Sequence, residues 1–156
     1  MINSKFYKIN DFLYRGERPD EHILRNLISL GVKAVMSLES GLISKEPEYV
    51  KKERRLVEDL GIKFIHVPLH PIKCPSIVEI KRALSLIMQK ENQPVFVHCE
   101  RGNDRTGIII AAYRIKMEGW DFENAFREMK SFGHRSKILF WWSSVLLSIK
   151  NHGRID

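Results

Sequence analysis

The run PVFVHCERGNDRTGIIIAAYRIK, residues 94–116, constrains the fold more than any other stretch. PVFVH (94–98) is apolar and rich in β-branched residues, the pattern of a central strand. A short polar loop follows, and then RTGIIIAAYRIKMEG, which reads as a buried helix closed by Gly119. A strand and a helix that are apolar nearly all round need other layers to cover them.

The rest of the chain supplies those layers. FLYRG (12–16), KAVMSL (33–38) and KFIHVPL (63–69) read as short strands, the last stopped by Pro68. Between them lie helical stretches. EHILRNLISLG places Ile23, Leu24, Leu27 and Ile28 on one face and ends at Gly31. EPEYVKKERRLVEDLG has Pro47 in a first-turn position and stops at Gly61. PSIVEIKRALSLIMQK carries a capping box, Ser76 with Glu79 three residues on. Asp121 caps FENAFREMKSFG, and a last helix covers roughly 136–150, with Trp141, Trp142, Val145, Leu146 and Ile149 facing inward. Strand and helix alternate through two thirds of the chain, and helices close it. The expected fold is α/β: a single domain, 1–156, with a central, mostly parallel sheet flanked by helices. Ligand sites in such sheets lie at the carboxyl ends of the strands. The cysteine loop falls there.

Composition narrows the partners. The formal net charge of +7 favours anionic ones: phosphorylated substrates, nucleic acid or an acidic membrane face. The cluster KKERR (51–55) reads as a solvated helix face, and without interleaved aromatics it does not resemble a nucleic-acid platform. ILFWWSSVLLSI is too short to span a bilayer. MINSKFYKIN has no signal-peptide core, and two cysteines, Cys74 and Cys99, suit a reducing compartment. A cytoplasmic protein is expected, with secretion by an uncleaved route left open. No Cys/His spacing indicates zinc, and the pair His66/His70 is too isolated to argue for any metal. Nothing in the sequence sets an oligomeric state.

The loop from Cys99 to Arg105 has its own chemistry. Backbone N–H groups in a loop wrapped before a helix form an anion-binding nest, and the helix N-terminus adds positive potential. The same field favours a cysteine thiolate at Cys99. Arg105 can grip two phosphoryl oxygens with its planar fork. Thr106 can donate a hydroxyl hydrogen bond to the sulfur, and His98 would orient the cysteine from the strand end. Glu100, Arg101, Gly102 and Asn103 complete the loop as candidate substrate contacts. Glu100 and Arg101 should face outward around the mouth, where Arg101 could meet a second phosphate and Glu100 would oppose it. His134 and Arg135 are candidates for the rim.

HCERGNDRTG resembles the signature loop of the cysteine-dependent protein tyrosine and dual-specificity phosphatases. LYRGERPDEHILRNLISLGVKAVMSLE is similar to the N-terminal part of their compact bacterial and atypical members. YRIKMEGWDFENAFREMKSFG is similar to the helices after their loop. The resemblance implies a metal-free, cofactor-free, two-step reaction. Cys99 attacks phosphorus to form a thiophosphate intermediate, and water hydrolyses it. The substrate would be a phosphorylated protein, or a phosphorylated small molecule or lipid.

One departure concerns the general acid. The family's usual aspartate lies in a context like PL-x-D, but this chain reads VPLHPIKCPS from Val67 to Ser76, without Asp or Glu. Two substitutes present themselves. Asp104 stands inside the loop, where the myotubularin-type and Sac-type phosphoinositide phosphatases, similar in this respect, have a proposed acid. His70 sits where the acid loop should approach, and imidazole titrates in a suitable range. Asp104 is the preferred candidate. Cys74, in the same region, is a candidate partner for Cys99 in a protective disulfide. Two other readings compete: a pseudophosphatase that binds phosphate without turnover, and a rhodanese- or arsenate-reductase-type thiol enzyme. The intact Cys99, Arg105 and Thr106 disfavour the first, and the arginine–threonine ending disfavours the second.

Overall fold

The structure, a computed structural model, describes residues 5–134 and 136–151, with the side chains of 136–141 outside the description. The rim position expected of Arg135 and the inward position expected of Trp141 therefore lie outside the described residues. Five strands, β1 (Phe6–Asn10), β2 (Leu13–Glu17), β3 (Ala34–Ser37), β4 (Lys63–His66) and β5 (Val95–Cys99), form one sheet in the order β1-β2-β5-β3-β4. β1 runs antiparallel to β2, and the other pairs are parallel. Among the described residues, six α-helices accompany them: α1 (Glu21–Ser29), α2 (Glu48–Asp59), α3 (Ile77–Met88), α4 (Asp104–Met117), α5 (Phe122–Ser131) and α6 (Ser136–Asn151). The α/β architecture with a mostly parallel sheet matches the expectation. β1 was not anticipated. Its sequence, FYKIN, is a half-exposed edge with little apolar signal.

The two-residue period of β5 sorts its side chains between two cores. Val95 and Val97 face the larger one, with Met36, Ile80, Leu84, Ile109 and Trp142. Phe96 faces the smaller one under α1 and α2, with Leu24, Val35, Val57 and Phe64. His98 continues the Phe96 face, its ring stacked on Phe96 at 5.6 Å, while Cys99 turns to the opposite side. α4 is buried on nearly every face, as its unbroken apolar run requires.

The helix signals are realised as side-chain caps. Asp20 accepts from Ile23 N at 2.8 Å, Asp121 from Asn124 N at 2.7 Å, and Ser76 with Glu79 forms the capping box. Pro47 stands one residue before α2 and not within it. Because β2, β5 and β3 are parallel neighbours, their carboxyl ends meet at one edge of the sheet. Glu17 pairs with Cys99 there, and the loop from Cys99 to α4 emerges beside it.

Candidate active site

The loop is shaped from β2. Gly102 has φ +72, and a Cβ there would lie 2.5 Å from both the carbonyl carbon and oxygen of Gly16. Only glycine allows that approach. The Gly102 carbonyl accepts from Nη2 of Arg15 at 2.8 Å. Arg15 is buried, with its guanidinium 3.8 Å over the Phe132 ring. Burial pushes this guanidinium down to about 10, against the opposing pull of Glu128 and Cys99, so it remains a cation at neutral pH. The Arg18 amide donates to the Glu100 carbonyl at 3.2 Å. β2 and the turn after it thus hold the loop by two of its carbonyls.

Cys99, Asp104 and Arg105 share a cavity of about 270 Å³ with Glu100 and Arg101, and Leu42, Pro71 and Ile72 close its other side. Cys99 is 3% exposed and Arg105 6%, while Glu100 and Arg101 are exposed at the mouth. Nη1 of Arg105 donates a long hydrogen bond, 3.4 Å, to the Leu69 carbonyl, which leaves most of the fork for a ligand. Thr106 is fully buried, and its Oγ1 has no hydrogen-bond partner among the described residues. Such a buried hydroxyl is a polar exception beside the cavity.

The other candidates fall elsewhere. Gly102 and Asn103 open onto a separate hollow of about 510 Å³ behind the loop, lined also by Lys5, Arg15 and Phe132. In the orientation that satisfies its neighbours, the Asn103 amide donates to the carbonyls of Arg101 (3.2 Å) and Phe132 (2.6 Å). These two residues shape the loop from behind and do not line the cavity. His70 does not line it either. Its Nδ1 accepts from the backbone N–H groups of Ile72 and Lys73, at 3.1 and 3.0 Å, and so folds the turn that presents Pro71 and Ile72. Cys74 is half-buried and unbridged, as is Cys99. Burial, with the Glu79 charge, pushes the Cys74 thiol up to about 11, which suppresses the thiolate that disulfide exchange needs. His134 is buried and not on the rim, with Nδ1 3.3 Å from Asp104 Oδ1.

His98 is fully buried and faces away from the cavity. Its Nε2 lies 2.5 Å from Glu53 Oε1 and its Nδ1 3.8 Å from Glu39 Oε2. Glu39 in turn accepts from Nε and Nη2 of Arg18 at 2.8 and 2.5 Å. Burial alone would push the imidazole down, but the Glu53 charge and hydrogen bond, helped by Glu39, raise it above its ordinary value. Two carboxylates therefore meet an arginine and an imidazole under the strand that carries Cys99. Glu39, Glu53 and His98 also offer ligand atoms within 4.8 Å of one another, the spacing of a metal site. With Arg18 on Glu39, the charges balance through the ion pairs.

Sequence reasoning missed Glu39, Glu53 and Arg15. KKERR reads as solvated, and its lysines are exposed, but Glu53 within it points inward. The signal available was helical spacing, since Glu53 shares a face with Val50 and Val57.

A thiol at the end of a central parallel strand, an arginine at the head of the next buried helix and a glycine-turned loop between them define a tyrosine-phosphatase-type fold. Residues 1–140 match the tyrosine phosphatase family, and the chain belongs to it. The dual specificity protein phosphatase TpbA of Pseudomonas aeruginosa is 30% identical over 129 residues, which is 81% of this chain and 54% of that protein. The inositol diphosphatase DSP2 of Oryza sativa subsp. japonica is 31% identical over 131 residues, 81% of this chain and 61% of that one. The chain thus spans little more than half the length of these relatives. A crystal structure of P. aeruginosa TpbA superposes with a TM-score of 0.77 at 25% identity, covering 94% of this chain and 89% of that one. Another TpbA structure is in complex with pTyr. The core catalytic domain of the PP-IP phosphatase SIW14 from S. cerevisiae shares the fold, with a TM-score of 0.75 at 23% identity over 88% of this chain and 83% of that one. Among the described residues, no helix is long and apolar enough to cross a membrane.

Proposed function

We propose that the chain is a cysteine-dependent phosphatase that hydrolyses phosphomonoesters, with aryl phosphates of the phosphotyrosine type as its substrate class. The carrying observation is the shared cavity, where Cys99, Asp104 and Arg105 face an apolar wall of Leu42, Pro71 and Ile72. In the first step Cys99 Sγ attacks phosphorus, Arg105 and the loop amides hold the phosphoryl oxygens, and Asp104 protonates the leaving oxygen. In the second step water displaces the sulfur, with Thr106 stabilising the departing thiolate. The pTyr complex of TpbA supports an aryl ester. Two free thiols suit a reducing, cytoplasmic setting.

A second reading, an inositol polyphosphate or diphosphate substrate, draws on Arg101 at the mouth and on the DSP2 relationship. It is weaker because Glu100 opposes Arg101, the single additional cation there among the described residues, and a multiply charged ring needs several. The test is phosphate release from a phosphotyrosine peptide, an aryl phosphate, a phosphoinositide and inositol polyphosphates. The aryl esters are expected to lead by about tenfold or more in kcat/KM, a difference of about 1.4 kcal/mol. The reverse order would establish the second reading. No turnover on any of them, with phosphate analogues still bound, would mark a non-catalytic phosphate-binding module.

Two substitutions check the assigned roles. Asp104→Asn is expected to lower kcat/KM by about 100-fold for poor leaving groups and little for good ones, the signature of a lost general acid. Thr106→Val removes a buried hydroxyl without a partner, so stability should change by less than about 1 kcal/mol. The second step should slow by roughly 10-fold to 100-fold, giving a burst of released alcohol before a slow steady state. Release without a burst at wild-type rate would remove Thr106 from the mechanism.

A further inference from the structure

Asp104 opens α4 with one side on the cavity and its Oδ1 3.3 Å from Nδ1 of His134. The His134 side chain is wholly buried, against 13% exposure for that of Asp104. His134 follows Gly133, whose φ of +83 turns the chain after α5 back toward the loop. Its ring packs on Trp142 with centroids 5.2 Å apart. Gly107, one turn along α4, makes room for it: a Cβ there would lie 3.6 Å from Nδ1 and 3.1 Å from Met129 Cγ. The ring is therefore clamped from several sides, with Nδ1 at ion-pair distance from the carboxylate but outside hydrogen-bond geometry with it.

Burying an imidazole costs free energy unless its polar atoms are used. A carboxylate and an imidazole in contact hold protons as a pair and not as separate groups. The charged and titratable groups facing Asp104 from the cavity are Cys99, Glu100, Arg101 and Arg105. Among the described residues, His134 approaches it from the interior side. A general acid needs a proton to give as the P–O bond breaks, and an imidazole in contact with the carboxyl group can supply it.

We propose that His134 is a positioning residue for Asp104, which fixes the carboxyl toward the cavity and shares with it the proton that the leaving group receives. The proposal rests on the assignment of Asp104 as general acid. As the S–P bond forms and the P–O bond breaks, Asp104 passes a proton to the leaving oxygen and takes the Nδ1 proton of His134, which ends neutral. In the second step the attacking water gives its proton to Asp104, the S–P bond breaks, and the pair is charged again. Proton and electron pairs balance over the cycle. At 3.3 Å the two groups are close but not aligned, and the carboxylate must turn onto Nδ1 as well as approach it, as acid–base contacts tighten and align in the bound state.

The test is kcat/KM, which reports the first step, for phosphate esters of graded leaving groups, from activated aryl to alkyl. Wild type, Asp104→Asn, His134→Leu and His134→Asn are compared, with melting temperature and tungstate binding confirming a folded loop. His134→Leu is expected to follow Asp104→Asn, losing about 100-fold on alkyl esters and less than about threefold on activated aryl esters. His134→Asn keeps an N–H donor without a proton to give, so it should hold the fold and show the same selective loss. If Asp104→Asn is selective but both His134 variants lose activity equally on all esters, or lose none, the role of His134 is overturned and that of Asp104 stands. If Asp104→Asn itself is unselective, both fall. Should His134→Leu fail to fold, His134→Asn decides alone.

Discussion

Cys99→Ser is expected to abolish phosphate release, by about 10⁴-fold or more, while the protein still binds phosphate or tungstate. The two outcomes separate because they depend on different groups. Attack on phosphorus needs an anionic nucleophile, and a serine hydroxyl is far harder to ionise than a cysteine thiol. Binding depends on the loop amides, on the α4 N-terminus and on Arg105, which the substitution leaves in place. Cys99 is 3% exposed and packed in the larger core, so the exchange of sulfur for oxygen is small in volume. Phosphate release measured beside tungstate-induced stabilisation checks both halves. Residual turnover within tenfold of wild type would mean that another group attacks.

Glu53→Gln is expected to destabilise the fold by about 3 kcal/mol, roughly 10 °C in Tm for a chain of this size. Glu53 and His98 are both buried, and the pair is close at 2.5 Å. Removing the carboxylate charge leaves the imidazole in a desolvated site with only Glu39 nearby, and Arg18 already occupies Glu39. The pH dependence follows with a definite sign. His98 is raised in the folded state, so the folded protein binds more protons than the unfolded chain as pH passes the ordinary histidine value. The stabilisation is complete below about pH 6.5 and is lost as pH rises through the folded value. Tm measured from about pH 6 to about pH 9 should decline in wild type and flatten in Glu53→Gln. Equal slopes in the two proteins would exclude the His98–Glu53 pair as the cause.

The parts of this fold legible in the sequence are those with local causes. The capping box of Ser76 and Glu79, the Asp121 cap and the apolar runs of β5 and α4 each declare themselves within a few residues. The strand–loop–helix passage at Cys99 does so as well. What stayed hidden depends on partners far apart in the chain. Arg15 reads as part of a short strand, yet its guanidinium reaches Gly102, 87 residues on. Glu53 sits among exposed lysines and turns inward to a histidine 45 residues away. His134 reads as a rim residue because nothing local shows that the turn at Gly133 folds it against Asp104. Gly102 and Asn103 lie within the signature loop, yet the turn at Gly102 sends them to its rear face. A loop motif gives the order of its residues and not the side each one faces.

The central claim is that Cys99 becomes phosphorylated during turnover. Rapid acid quenching of the protein with an aryl phosphate, followed by peptide mass spectrometry, tests it directly. A phosphate adduct on the peptide containing Cys99, enriched in Thr106→Val and missing in Cys99→Ser, is the predicted result. Steady turnover with no adduct on that peptide in either the wild type or Thr106→Val would contradict the account.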